Sequence, residues 1–101
     1  MTTVEIGNAG EQHVEHFLQS KNYQTVIRDT KQAGSTDITA NGIRVQVKTA
    51  VVPEEPSEVT EAEKTAIKNK AAVTHAEAWL AYVQIKNNKE LNKPIRWVKV
   101  V

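Results

Sequence analysis

Thr36-Asp37-Ile38-Thr39-Ala40-Asn41-Gly42-Ile43-Arg44-Val45-Gln46-Val47-Lys48-Thr49 is the stretch on which the fold turns. It holds two runs of alternating β-prone residues, 36–40 and 43–49, separated only by Asn41-Gly42. Asn-Gly between alternating runs is the signature of a two-residue β-hairpin, because glycine accepts the positive φ that such a turn requires. The loop length then sets the register. Ala40 pairs with Ile43, Thr39 with Arg44, Ile38 with Val45, and Asp37 with Gln46. Opposed residues share a face, and side chains alternate along each strand. Ile38, Ile43, Val45 and Val47 therefore form a core face. Asp37, Thr39, Arg44, Gln46 and Lys48 form a polar strip on the other, with Lys48 diagonal to Asp37 at roughly 7–8 Å.

The chain before the hairpin opens with a helix. Val14, Phe17 and Leu18 recur at helical spacing across Asn8 to Ser20, with residues 1–7 as a tail. Asn8 is a candidate N-cap, and Glu11, three residues on, its capping-box partner. A second reading of Glu11 stays open. At about 100° per residue it lies near Leu18 and Val14, inside the stripe that packs on the sheet. A charge there is costly unless it is paired or binds a cation. Tyr23 to Arg28 has strand composition, and residues 29–35 form a polar loop containing Gly34.

After the hairpin, residues 50–59 hold Pro53, Pro56 and three glutamates, an acidic surface loop or mobile flap. Thr60-Glu61-Ala62-Glu63 is a capping-box sequence that opens a second helix over roughly residues 60–76. Its apolar face consists of Ala62, Ala66, Ile67, Ala71, Ala72 and Val73. Trp79 to Lys86 reads as a buried strand, 87–94 as a turn, and Ile95 to Val101 as a last strand. The order α-β-β-β-α-β-β predicts an α/β (α+β) fold, a central mixed sheet flanked by helices. With 101 residues, one domain spans 1–101.

Composition narrows the function. The absence of cysteine excludes a disulfide scaffold, a zinc finger, an iron–sulfur site and a cysteine nucleophile. The apolar runs are too short for a membrane span or a signal peptide, so a cytoplasmic protein is expected. The net charge of +1 argues on its face against a nucleic-acid partner. The average conceals an asymmetry, however. Residues 50–63 carry five acids and no base, whereas residues 64–101 carry eight bases and two acids. That basic segment is where phosphate contacts are expected.

The polar strip brings together a carboxylate (Asp37), an amide oxygen (Gln46) and an ammonium (Lys48), with Glu11 as a second carboxylate should it reach them. Hard oxygen ligands suit Mg²⁺, and a lysine beside the ion can orient water or stabilise charge on a phosphate. The plainer alternative is a solvated face of a half-buried sheet, with Asp37 paired to Lys48 or Arg44.

In this order, Gly10-Glu11, Ser35-Thr36-Asp37-Ile38 and Val45-Gln46-Val47-Lys48-Thr49 resemble the PD-(D/E)xK nuclease superfamily. The pattern is most similar to archaeal Holliday-junction resolvases and small Mrr-like endonucleases, and it covers about half the chain. The resemblance implies a restriction-endonuclease-like fold. It makes Asp37 the central metal ligand, Glu11 the helix-borne acid, Gln46 the occupant of the second acidic position and Lys48 the catalytic lysine. The backbone carbonyl of Val47 would complete the coordination of Mg²⁺, for which Mn²⁺ substitutes. Two departures stand out: Thr36 replaces proline, and Gln46 replaces an acid.

The resulting expectation is a Mg²⁺-dependent endodeoxyribonuclease. It would select branched DNA by structure, because one small domain has little surface for reading bases, and it would act as a homodimer. Arg44, Lys64, Lys68 and Lys70 are the candidate DNA contacts. Two alternatives are a catalytically weak DNA-binding or assembly module, and a nuclease subunit that needs a protein partner. His13 and His16 are expected on the solvent side of the first helix, and His75 near the carbonyls that end the second. Trp79 and Tyr82 are expected in the core and Trp97 partly buried.

Overall fold

The computed structural model describes residues 1–24, 26–28 and 36–101, with Thr36 and Asp37 described by their place in a strand. The expected loop at 29–35 lies outside the described residues. Seven elements follow in the predicted order: α1 (Thr3–Ser20), β1 (Ile27–Arg28), β2 (Thr36–Ala40), β3 (Ile43–Val51), α2 (Glu61–Val73), β4 (Glu77–Ile85) and β5 (Arg96–Val100). The strands form one sheet in the order β1-β2-β3-β4-β5. Among the described residues only β3 and β4 run parallel, so the sheet is mixed, as expected.

The hairpin has the register its loop dictates, from Ala40↔Ile43 to Asp37↔Gln46. Gly42 takes the left-handed conformation, φ 84°, at which an L side chain would be strained. β3 runs two residues beyond the expected end because its other neighbour holds it. Ile43↔Glu77 through Val51↔Ile85 form an unbroken parallel ladder with β4. Pairing with β2 stops at Thr36↔Val47, so β3 continues past Lys48 with no β2 partner among the described residues. Among the described residues, the first strand β1 pairs with β2 through Ile27↔Thr39 and Arg28↔Ile38.

The two helices cover opposite faces. α1 packs Ala9, Val14 and Leu18 onto Ile38, Val45 and Val47 and onto Ala81, Val83 and Ile85 of β4. Gly10 sets the approach: a Cβ there would lie 1.8 Å from Thr49 Oγ1. α1 begins earlier than expected. Its N-cap is Thr2 and the capping box is Thr2 with Glu5, so Asn8 and Glu11 lie inside the helix. α2 covers the other face through Ile67 and Ala71, which pack with Ala78, Leu80, Tyr82 and Val59. The expected alanine stripe is narrower than six residues: Val73 is 82% exposed, and Ala62, Ala66 and Ala72 also face solvent. Two residues past the end of α2 stands His75, φ 54°, whose backbone N–H bonds the Ala72 carbonyl while that of Ala76 bonds the Ala71 carbonyl. The backbone of His75 thus closes the helix in a Schellman motif. Among the described residues, no helix is long and apolar enough to cross a membrane.

Candidate functional site

At Gln46 and Lys48 the polar strip is covered by α2 rather than solvated. Gln46 is 4% exposed, and the Lys48 side chain 17%. Both meet a carboxylate that sequence reasoning did not single out. Gln46 Nε2 donates to Glu63 Oε2 at 3.0 Å, and Lys48 Nζ lies 2.8 Å from the same oxygen. The other oxygen of Glu63 accepts the backbone N–H of Thr60 at 3.0 Å, half of the capping box that starts α2. Glu63 is therefore gripped at both oxygens. The Lys48 bond, followed by the Thr60 backbone amide, holds its pKa down at about 2.

Asp37 stands opposite Gln46 in the β2–β3 register. Its side chain lies outside the described residues. Val47 is the last β3 residue paired to β2. Glu11 belongs to the α1 face. It is 6% exposed, and its Oε2 lies 3.3 Å from Arg28 Nε. Arg28 also donates from Nε to Glu15 Oε1 at 2.7 Å, and its Nη2 meets the same oxygen. The capping-box reading of Glu11 is thus replaced by a buried acid facing a guanidinium. Gln46 and Lys48 come together with Glu63, while Glu11 gathers with Arg28 beneath the other helix.

Glu63 was legible in part. Thr60-Glu61-Ala62-Glu63 marks a helix start, but a capping-box glutamate is ordinarily read only for its bond to the cap. The overlooked signal is spacing. Glu63, Ile67 and Ala71 follow at intervals of four, and the last two are the buried residues of α2. A residue on that stripe in the first turn must look toward the sheet.

The candidate DNA contacts are dispersed. Arg44 is half-buried, with its Nε enclosed and lacking a hydrogen-bond partner among the described residues. It borders a recess of about 470 Å³ together with Thr39, Asn41, Gly42 and Thr74. Lys64 lies 3.3 Å from Glu61. Lys68 and Lys70 are exposed on α2.

Three bases of the C-terminal segment face acids. Lys93 pairs with Glu55 at 2.8 Å, Arg96 with Glu58 at 2.6 Å and Lys99 with Glu77 at 2.9 Å. Through Glu55 and Glu58 the acidic loop is tied to the β4–β5 connection and to the start of β5. Tyr82 fixes it further: its hydroxyl accepts the Val59 N–H at 3.3 Å, and Arg96 lies 4.0 Å above its ring. Hydrogen bonds from Tyr82 and then Arg96 lower the pKa of Glu58. Lys48, Tyr82 and Arg96 stand abreast on β3, β4 and β5.

His13 is half-buried, with Nε2 2.7 Å from the Lys89 carbonyl, while His16 is exposed. Tyr82 is buried, and Trp79 and Trp97 are half-buried.

Among the described residues, no group of three His, Asp or Glu side chains could by itself hold a metal ion. The Glu63 carboxylate and the Gln46 amide carry hard oxygens, the chemistry Mg²⁺ selects, and the backbone of Asp37 pairs with Gln46 beside them. No protein-family model matches the chain, and no curated protein matches it in sequence.

Proposed function

We propose that the chain is a Mg²⁺-dependent DNA endonuclease that hydrolyses phosphodiester bonds, selects branched DNA by its structure and acts as a homodimer in the cytoplasm. The observation that carries this reading is the placement of Gln46 and Lys48 side by side on a covered face, opposite the register position of Asp37. Asp37, Gln46 and the Val47 carbonyl are the residues that would hold the ion on the resemblance to PD-(D/E)xK nucleases, while Glu11, the helix-borne acid of that resemblance, faces Arg28 beneath α1. The ion, when bound, supplies Lewis-acid stabilisation of the phosphate and a more acidic water. Lys48 places its ammonium against charge developing on the phosphate, and Glu63 orients that ammonium in the free protein. Arg44, Lys64, Lys68 and Lys70 contribute phosphate contacts that set the duplex in place.

One observation favours a second reading, a non-catalytic DNA-binding module or a subunit completed by a protein partner. Gln46 presents a neutral amide where a nuclease of this type carries an acid, and its N–H is engaged by Glu63.

Incubation with Mg²⁺ or Mn²⁺ and four-way, flap and plain duplex DNA tests the proposal. Wild type should cut the branched substrates, and Lys48→Ala should not. Identical behaviour of the two proteins on all three substrates removes Lys48 from the chemistry. Cleavage that requires an added co-purifying protein supports the partner-dependent subunit.

A further inference from the structure

We infer that Glu63 supplies the second carboxylate of the cation site, delivered from the first turn of α2 onto the face where β3 carries only an amide. The inference rests on the metal-dependent reading above and names a ligand that the resemblance does not.

Three observations carry it. The first is position. Glu63 Oε2 is within 3.0 Å of Gln46 Nε2 and 2.8 Å of Lys48 Nζ, so its carboxylate lies against the two β3 side chains on either side of Val47. The second is preorganisation. The Thr60 amide fixes Oε1, so the carboxylate is aimed before any ligand arrives. The third is charge. Asp37, Gln46 and Lys48 alone sum to zero, a poor trap for a dication. Adding Glu63 gives two carboxylates against one ammonium, within the one or two that Mg²⁺ sites ordinarily use. Glu11 enters this count differently, because Arg28 already faces it at 3.3 Å.

In this arrangement Gln46 is a positioning residue. It is buried and donates its N–H to Glu63, so it holds the carboxylate that replaces its own missing acid. Lys48 bonds the same oxygen, which keeps the ammonium beside the ion and the phosphate it polarises.

Mn²⁺ binding tests this without reference to cleavage. Calorimetric titration and Mn²⁺ electron paramagnetic resonance are run on the full chain as wild type, Glu63→Gln, Glu63→Asp and the double variant Gln46→Glu/Glu63→Gln. Glutamine at position 63 keeps an oxygen for the Thr60 amide, and circular dichroism confirms that each variant is folded. Glu63→Asp keeps the charge but shortens the reach. Both single variants should bind Mn²⁺ at least about tenfold more weakly, and the double variant should recover most of the loss by returning an acid to β3. Single variants that bind as tightly as wild type overturn the role of Glu63 while leaving the metal-dependent reading intact. A wild-type chain that takes up no Mn²⁺ overturns both.

Discussion

Among the described residues, each face of the sheet carries an acid-and-base cluster under its helix, and the two are built differently. Beneath α1, Arg28 bridges Glu11 and Glu15. Beneath α2, Lys48 and Gln46 converge on one oxygen of Glu63. Arginine is a planar fork that cannot be deprotonated, and one guanidinium can serve two carboxylates at once. Lysine is a compact charge on a flexible stem, and its ammonium can change partners without moving the backbone. The α1 cluster therefore closes a gap between helix and sheet edge. The α2 cluster keeps a charge poised.

If that distinction holds, the largest effect belongs to Lys48→Ala. It should lower the single-turnover cleavage rate by about 10²–10³-fold, against a stability loss of only about 1 kcal/mol from the broken pair with Glu63. A comparable loss of rate in a folded Arg28→Ala protein breaks the comparison, because it makes both clusters catalytic. Arg28→Ala should instead act on stability. It leaves the buried Glu11 carboxylate without its guanidinium and should cost about 2–3 kcal/mol in urea unfolding. Gly10→Ala attacks the same face by bulk. Its Cβ would meet Thr49 Oγ1 at 1.8 Å, and forcing α1 outward should cost about 1–3 kcal/mol by the same assay.

A smaller effect sharpens the other side. Glu63→Gln should cost about 1 kcal/mol at neutral pH, since it loses the charge that Lys48 and the helix N-terminus favour. Because the folded pKa of Glu63 is lowered from 4.5 to about 2, its contribution is fully present above the unfolded value. It is lost as pH falls through the interval between the two. The stability gap between wild type and Glu63→Gln should therefore close between pH 4.5 and about 2, followed by denaturant titration across that range. The smallest effect concerns the loop. Glu55→Gln/Glu58→Gln should leave stability nearly unchanged, because both ion pairs are exposed. With Lys93 and Arg96 released, the slope of log affinity for DNA against log salt should steepen by about one to two.

The hairpin was wholly legible, because Asn41-Gly42 and the alternation beside it are local signals that tertiary packing only reinforces. The polar strip was legible for the same reason. What covers it was not. Nothing within residues 36–49 states that β4 lies parallel to β3, and it is that pairing which brings the start of α2 over Gln46 and Lys48. Glu11 shows the converse. Its angular position placed it in the buried stripe, but its partner Arg28 arrives from a separate strand, which no spacing within the helix reveals. The charge asymmetry was legible as an asymmetry, but the partners that meet it were not. Linear charge blocks do not reveal that Glu55 reaches Lys93, or Glu58 Arg96, across the fold.

The parallel pairing of β3 with β4 bears on the order in which the molecule assembles. The β2–β3 hairpin closes over two residues and can form on a microsecond scale, whereas parallel ladders that must first close a long loop form later. Ile43↔Glu77 is such a pair, with all of α2 inside its loop. Asp37, Gln46 and Lys48 thus share an early, local unit, and Glu63 joins them only when the crossover docks. A chain halted before that step would carry the strip without its carboxylate, so the Lys48–Glu63 contact marks the completion of folding.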